Sequence, residues 1–111
     1  MKTTYLKLLS ITSLAAFFMG CATVDVTKTA KGSFKATNPN EVEILQTRPD
    51  RSFIELGSIS AAKIPPKKTA KMHNALRAKS APLGADAVII LNSGIDDDGD
   101  LWATGVAIQY K

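Results

Sequence analysis

Leu83-Gly84-Ala85-Asp86-Ala87-Val88-Ile89-Ile90-Leu91 joins the end of one kind of element to the start of another. The run from Ala85 to Leu91 is almost continuously apolar and rich in β-branched residues, as expected of a central strand buried on both sides. Gly84 ahead of it suits the left-handed residue that ends a helix. Upstream, Met72, Leu76, Lys79 and Leu83 recur at helical steps with Ala75 beside them, which predicts a helix from Thr69, as N-cap, to about Leu83. Pro82 removes a hydrogen bond deep in that helix, so its last turn is expected to distort.

Working outward, Glu41-Val42-Glu43-Ile44-Leu45-Gln46-Thr47 begins with the period-2 alternation of a half-buried strand. Arg48-Pro49-Asp50-Arg51 is turn chemistry. Ser52 to Ala61 reads as a second strand paired with the first as a hairpin, and Gly57 marks a bulge or close backbone approach. Ile64-Pro65-Pro66 ends strand pairing. After the central strand and a turn at Gly94–Asp100, Leu101 to Tyr110 forms the last strand. Its large residues Trp102, Val106, Ile108 and Tyr110 share one face with Thr104, and Ala103, Gly105 and Ala107 share the other. The expected fold class is α+β: a ββαββ domain over residues 41–111, one helix packed on a small, mainly antiparallel sheet.

The amino end sets an address. Met1 to Lys7 carries two positive charges and no acid, Leu8 to Met19 is uncharged, and Gly20-Cys21-Ala22 follows. A basic start, a short apolar core and a small-residue cleavage zone make an export signal over residues 1–20. The core is shorter than the roughly 20 apolar residues a span requires, which disfavours the alternative of an uncleaved anchor helix drawn out to Val24. Cys21, the one cysteine, resembles the lipobox cysteine of bacterial lipoproteins, with Gly20 and Cys21 matching the cleavage positions. Phe18 and Met19 depart from the usual pattern. The resemblance implies a diacylglycerol and an N-acyl chain on Cys21, and Ala22, where an inner-membrane protein would carry Asp, implies the outer membrane, with the domain facing the periplasm. Residues 21–40, rich in Thr, Lys and Asn, read as a flexible tether with a reach on the order of 20–30 Å.

Composition narrows the function. The chain carries +4 formally, but Lys2 and Lys7 lie in the signal segment and no acid does, which leaves +2. Nucleic-acid binding by counterion release needs more clustered charge than that. With Cys21 committed to lipid, neither a disulfide nor a thiol metal site is available, and His73 is the one histidine. No nucleophile, base and orienting group can be assembled, so no enzyme and no resident cofactor are expected. Asp96, Asp98 and Asp100 with Gly99 fit the middle of a calcium loop, yet Gly105 stands where the distal Glu belongs, so a solvated turn is the expectation and a metal site the weak alternative. Lys63, Lys67, Lys68 and Lys71 surround the helix start as either a solvated face or a patch for ions or anionic glycolipid.

The order "VEILQTRP", "IELGSIS", "ALRAK" and "PLGADAVII" resembles the domain shared by the Rcs envelope-stress sensor lipoprotein (RcsF) and the YbjQ-like family, over about residues 41–110. The resemblance implies a ββαββ layout and an envelope address. The stress sensor staples its domain with cysteine pairs, and none is possible here. The expected role is a lipid-anchored interaction or envelope-sensing module with a protein or envelope partner. Alternatives are ion or glycolipid binding by the acidic turn or the lysines, and a structural lipoprotein. Trp102, Val106, Ile108 and Tyr110 would be the partner face if the helix covers the opposite side, and core if it does not.

Overall fold

The computed structural model describes residues 22–111. The signal segment, Gly20 and Cys21 lie outside the described residues. Five strands and one helix follow in the order β1 (Thr23–Lys28), β2 (Glu43–Leu45), β3 (Phe53–Ile64), α1 (Thr69–Ser80), β4 (Ala87–Ile95) and β5 (Leu101–Tyr110). The sheet order is β1-β3-β5-β4-β2, antiparallel except for the β2–β4 pair. The domain is therefore α+β with one helix on a mainly antiparallel sheet, as expected. Among the described residues, no helix is long and apolar enough to cross a membrane.

Two pairings differ from the sequence reading. The segment after Cys21 is not a free tether, because Thr23–Lys28 is an edge strand, antiparallel to β3 from Thr23↔Ala62 to Lys28↔Gly57. Val24 and Val26 alternate with polar neighbours, and Val24 packs on the core. The chain that follows is also fastened. Phe34 packs on the core, the Thr37 backbone N–H donates to the Ala81 carbonyl (2.9 Å), and the Thr37 hydroxyl donates to the Ala85 carbonyl.

The second difference is the absent hairpin. β2 does not pair with β3 but runs parallel to β4, with Glu43, Ile44 and Leu45 opposite Ala87, Val88 and Ile89. Both edges of β3 are already taken, by β1 and β5, so β2 finds its hydrogen bonds at the far edge. There Ile44 joins the core under the helix and Leu45 a smaller cluster on the other face.

Helix α1 is shorter than predicted and starts without a side-chain cap. Lys68, not Thr69, holds the cap position, after Lys67 at φ 65°. Pro82 explains the end: the chain tightens into a 3-10 turn at Ala81–Leu83 and leaves through Gly84 at φ 94°. The buried stripe is Met72, Leu76 and Ser80, with Lys79 exposed. Ser80 is tolerated there because its hydroxyl donates to the Arg77 carbonyl (3.2 Å). Leu76, Leu56, Ile59, Ile64 and Val88 are fully buried, with Ala61, Ala103 and Ala107 as the sheet floor. Small floor residues let the helix approach closely, which is why β5 places its alanines on this side.

Candidate functional site

The face away from α1 holds Val106, Ile108 and Tyr110 of β5, and there it is only partly covered. Ala87, Ile89 and Ile108 form a second buried cluster, joined by Leu45, Phe53, Val106 and Tyr110. Topology supplies the cover. β2 lies beyond β4 and β3 beyond β5, so residues 46–52 must cross the sheet between them. On this arm Arg48 lies over the Phe53 ring (4.7 Å to its centroid) and Arg51 over the Tyr110 ring (3.9 Å). The Lys111 backbone N–H donates to the Ser52 carbonyl (3.1 Å), which ties the arm to the end of β5. The Tyr110 backbone N–H donates to Asp86 (2.9 Å) and its phenol to Glu43 (3.3 Å). Burial, then the Glu43 charge and its hydrogen bond, raise the Tyr110 phenol above its ordinary range.

The predicted partner face is therefore divided. Ile108 is fully buried and cannot meet a partner, a correction whose cause is the crossing arm. Val106 and Tyr110 are half-buried at its margin. Trp102 belongs to neither apolar cluster and rests against Gly94, where an added Cβ would meet the indole at 3.0 Å.

Beyond the arm the molecule presents a feature that sequence reading did not single out. β2 pairs with β4 only as far as Ile89, so β4 from Leu91 to Ile95 has a partner on the β5 side alone. A bulge between Ile90 and Asn92 turns Leu91 outward. Leu91 is 66% and Ile95 68% exposed, and no charged residue occurs from Leu91 to Ile95. Edge strands are ordinarily blunted by charge, as β1 is by Asp25 and Lys28. Beside this bare edge, Met72, His73, Ser93, Ile95, Leu101 and Trp102 line a hollow of about 300 Å³. Burial, then the Arg77 charge, holds His73 below the usual histidine range, so it is neutral at pH 7. The sequence carried one signal for the edge, the absence of charge in Leu91-Asn92-Ser93-Gly94-Ile95.

The acidic turn brings Asp96, Asp98 and Asp100 within 4.8 Å of one another. Asp96 already accepts from the backbone N–H groups of Asp98 (2.9 Å) and Asp100 (3.0 Å). Lys63 reaches Asp96 at 3.3 Å and Asp98 at 3.4 Å and serves as their counter-ion. Desolvation works to raise the Asp96 carboxyl, but the backbone donors and Lys63 outweigh it and hold it below the usual range. The same contacts, with the Asp96 hydrogen bond foremost, raise Lys63. This is the geometry of a self-satisfied turn. It also removes Lys63 from the lysine cluster, which leaves Lys67, Lys68 and Lys71 exposed at the start of α1.

No protein-family model and no curated protein sequence matches the chain. Among solved structures, it is similar to a Francisella virulence factor, FvfA, with a TM-score of 0.59 at 12% identity, over 78% of this chain and 96% of that one. At that identity the likeness is one of fold.

Proposed function

We propose that this chain is a lipid-anchored, non-enzymatic interaction module of the bacterial envelope that takes an extended segment of a partner protein along the free Leu91–Ile95 edge of β4. The single observation that carries this reading is the uncharged free edge at Leu91–Ile95, with two large apolar side chains exposed on it. Strand addition supplies affinity through main-chain hydrogen bonds and selectivity through pockets for alternate side chains. The hollow lined by Met72 and Trp102 is placed to receive such a side chain.

The anchor reading rests on the lipobox-like Gly20-Cys21 and acquires a geometry from β1. Ala22 alone separates Cys21 from Thr23, which is already paired with Ala62. One residue spans at most about 3.6 Å. An acylated Cys21 therefore holds the Ala62 end of the sheet, with Lys67 and Lys68 near it, against the membrane. Ala22 directs the sorting expectation to the outer membrane.

A photo-cross-linking residue at Asn92 in living cells should trap one defined protein, and the pair Leu91→Asp and Ile95→Asp should abolish the adduct with the melting temperature retained. An adduct that survives both substitutions removes the β4 edge from consideration. Cys21→Ser should shift the protein from the membrane fraction to the soluble one. Unchanged fractionation would end the anchor reading.

A further inference from the structure

At the opposite end of the sheet from Thr23, residues Arg48, Pro49, Asp50, Arg51, Ser52, Phe53 and Lys111 surround an open hollow of about 370 Å³. We propose that this hollow is a binding site for a phosphate group, either as the free ion or as a monoester. Phe53 and Tyr110 are directly paired across β3 and β5, so the two rings stand side by side and the guanidinium groups stacked on them are neighbours. Stacking occupies the flat faces of the two groups and leaves their N–H edges free to donate. Among the described residues the ion pairs are those of Lys63 with Asp96 and Asp98, so neither arginine is neutralised by a carboxylate.

Two adjacent guanidinium groups repel each other, and an anion shared between their forks converts that repulsion into attraction. Lys111 adds a third cation and Ser52 a neutral hydroxyl, against one lining acid, Asp50. Glu43 and Asp86 accept from the Tyr110 phenol and backbone N–H and do not line the hollow. A dianion fits this balance better than a carboxylate, because its tetrahedral oxygens can serve both forks at once. Pro49 and the Ser52–Lys111 hydrogen bond restrain the arm, so less ordering is required on binding. The site lies at the Phe53–Tyr110 end and so points away from the bilayer that Cys21 would occupy. The inference stands independently of the proposed function.

The test is calorimetric titration of the detergent-solubilised full chain at pH 7.5 with inorganic phosphate, with glucose 1-phosphate, and with phosphatidic acid vesicles against phosphatidylcholine vesicles. Saturable one-to-one binding to any phosphate-bearing probe is expected, with Arg48→Gln and Arg51→Gln each weakening it about tenfold. Lys79→Gln, on α1 and so on the opposite face of the sheet from the arm, should leave it unchanged. Arg48→Lys with Arg51→Lys keeps both charges and both stacked positions while removing the forks, and should still weaken binding severalfold. Binding of the soluble phosphates alone assigns a soluble ligand. Binding of the vesicles alone assigns a headgroup on an apposed surface. Flat titrations with every probe, or an equal loss from Lys79→Gln, would overturn the proposal.

Discussion

The two faces of this sheet are buried by different means. One lies under α1, where Leu76 and Met72 meet Leu56, Ile59 and Val88 over a floor of alanines. The other has no regular element over it. Its buried trio, Ala87, Ile89 and Ile108, depends on a crossing arm whose two arginines are laid over aromatic rings. A helix covers a face along its full length, whereas an arm covers only its path. What the arm misses, from Leu91 across to Thr104 and Ser58, stays open to solvent, and the exposed edge adjoins it.

The contrast can be broken most forcefully at the core. Leu76→Ala should cost about 3–4 kcal/mol, because Leu76 is fully buried between α1 and the sheet, and the rigid helix cannot settle into the space. Ile108→Ala, equally buried, should cost less, about 2–3 kcal/mol, since the arm can settle toward the gap. Urea unfolding of the two variants measures the difference. Equal costs would mean that the arm is as unyielding as the helix.

A smaller, local effect should come from Gly57, where an added Cβ would lie 2.5 Å from the Thr27 carbonyl oxygen. Gly57→Ala should lever β1 away from β3 and cost about 1–2 kcal/mol. Amide exchange at Thr29 and Ala30, which donate to the Leu56 carbonyl, should quicken while β4 and β5 stay protected. Arg51→Ala probes the arm directly. Loss of one cation–π contact at an exposed site amounts to about 0.5–1 kcal/mol, and Tyr110 should become more accessible to quenchers.

The faintest signature is in pH. His73 titrates lower in the folded chain than in the unfolded one. Its contribution to stability is therefore present above the unfolded value near 6.5 and is lost as pH falls through the folded value. Tyr110 titrates higher when folded, so its contribution is present below about pH 10 and is lost as pH rises through the folded value. Melting temperatures from pH 5 to 11 should decline at both ends, with His73→Gln flattening the acid limb and Tyr110→Phe the alkaline one.

Much of the fold was legible from patterns that depend on near neighbours. The β4 run, Gly84 as terminator, the disturbance at Pro82 and the strand at 101–110 follow from local chemistry, and each stands in the structure. What stayed hidden was pairing between distant segments. Val24 and Val26 carry a strand's alternation, but Thr and Lys around them also suit a coil, and only the free edge of β3 decides between the two. Glu43–Leu45 was legible as a strand, but its partner was not, because a turn at Arg48–Arg51 joins neighbours or spans a sheet equally well. The candidate site followed the same rule. Sorting β5 by face grouped Val106, Ile108 and Tyr110 together, as the structure does, yet the burial of Ile108 and the exposure of Leu91 and Ile95 depend on where β2 stops.

The most direct measurement is hydrogen exchange on the chain in native envelope fractions, compared with the same chain purified in detergent. Strand addition predicts that the outward-facing amides of Ser93 and Ile95 are slowed in the envelope and faster after purification, while those of Asn92 and Gly94, turned toward β5, and of Thr23–Lys28 exchange alike in both. Identical rates for Ser93 and Ile95 in the two preparations would contradict a partner on this edge.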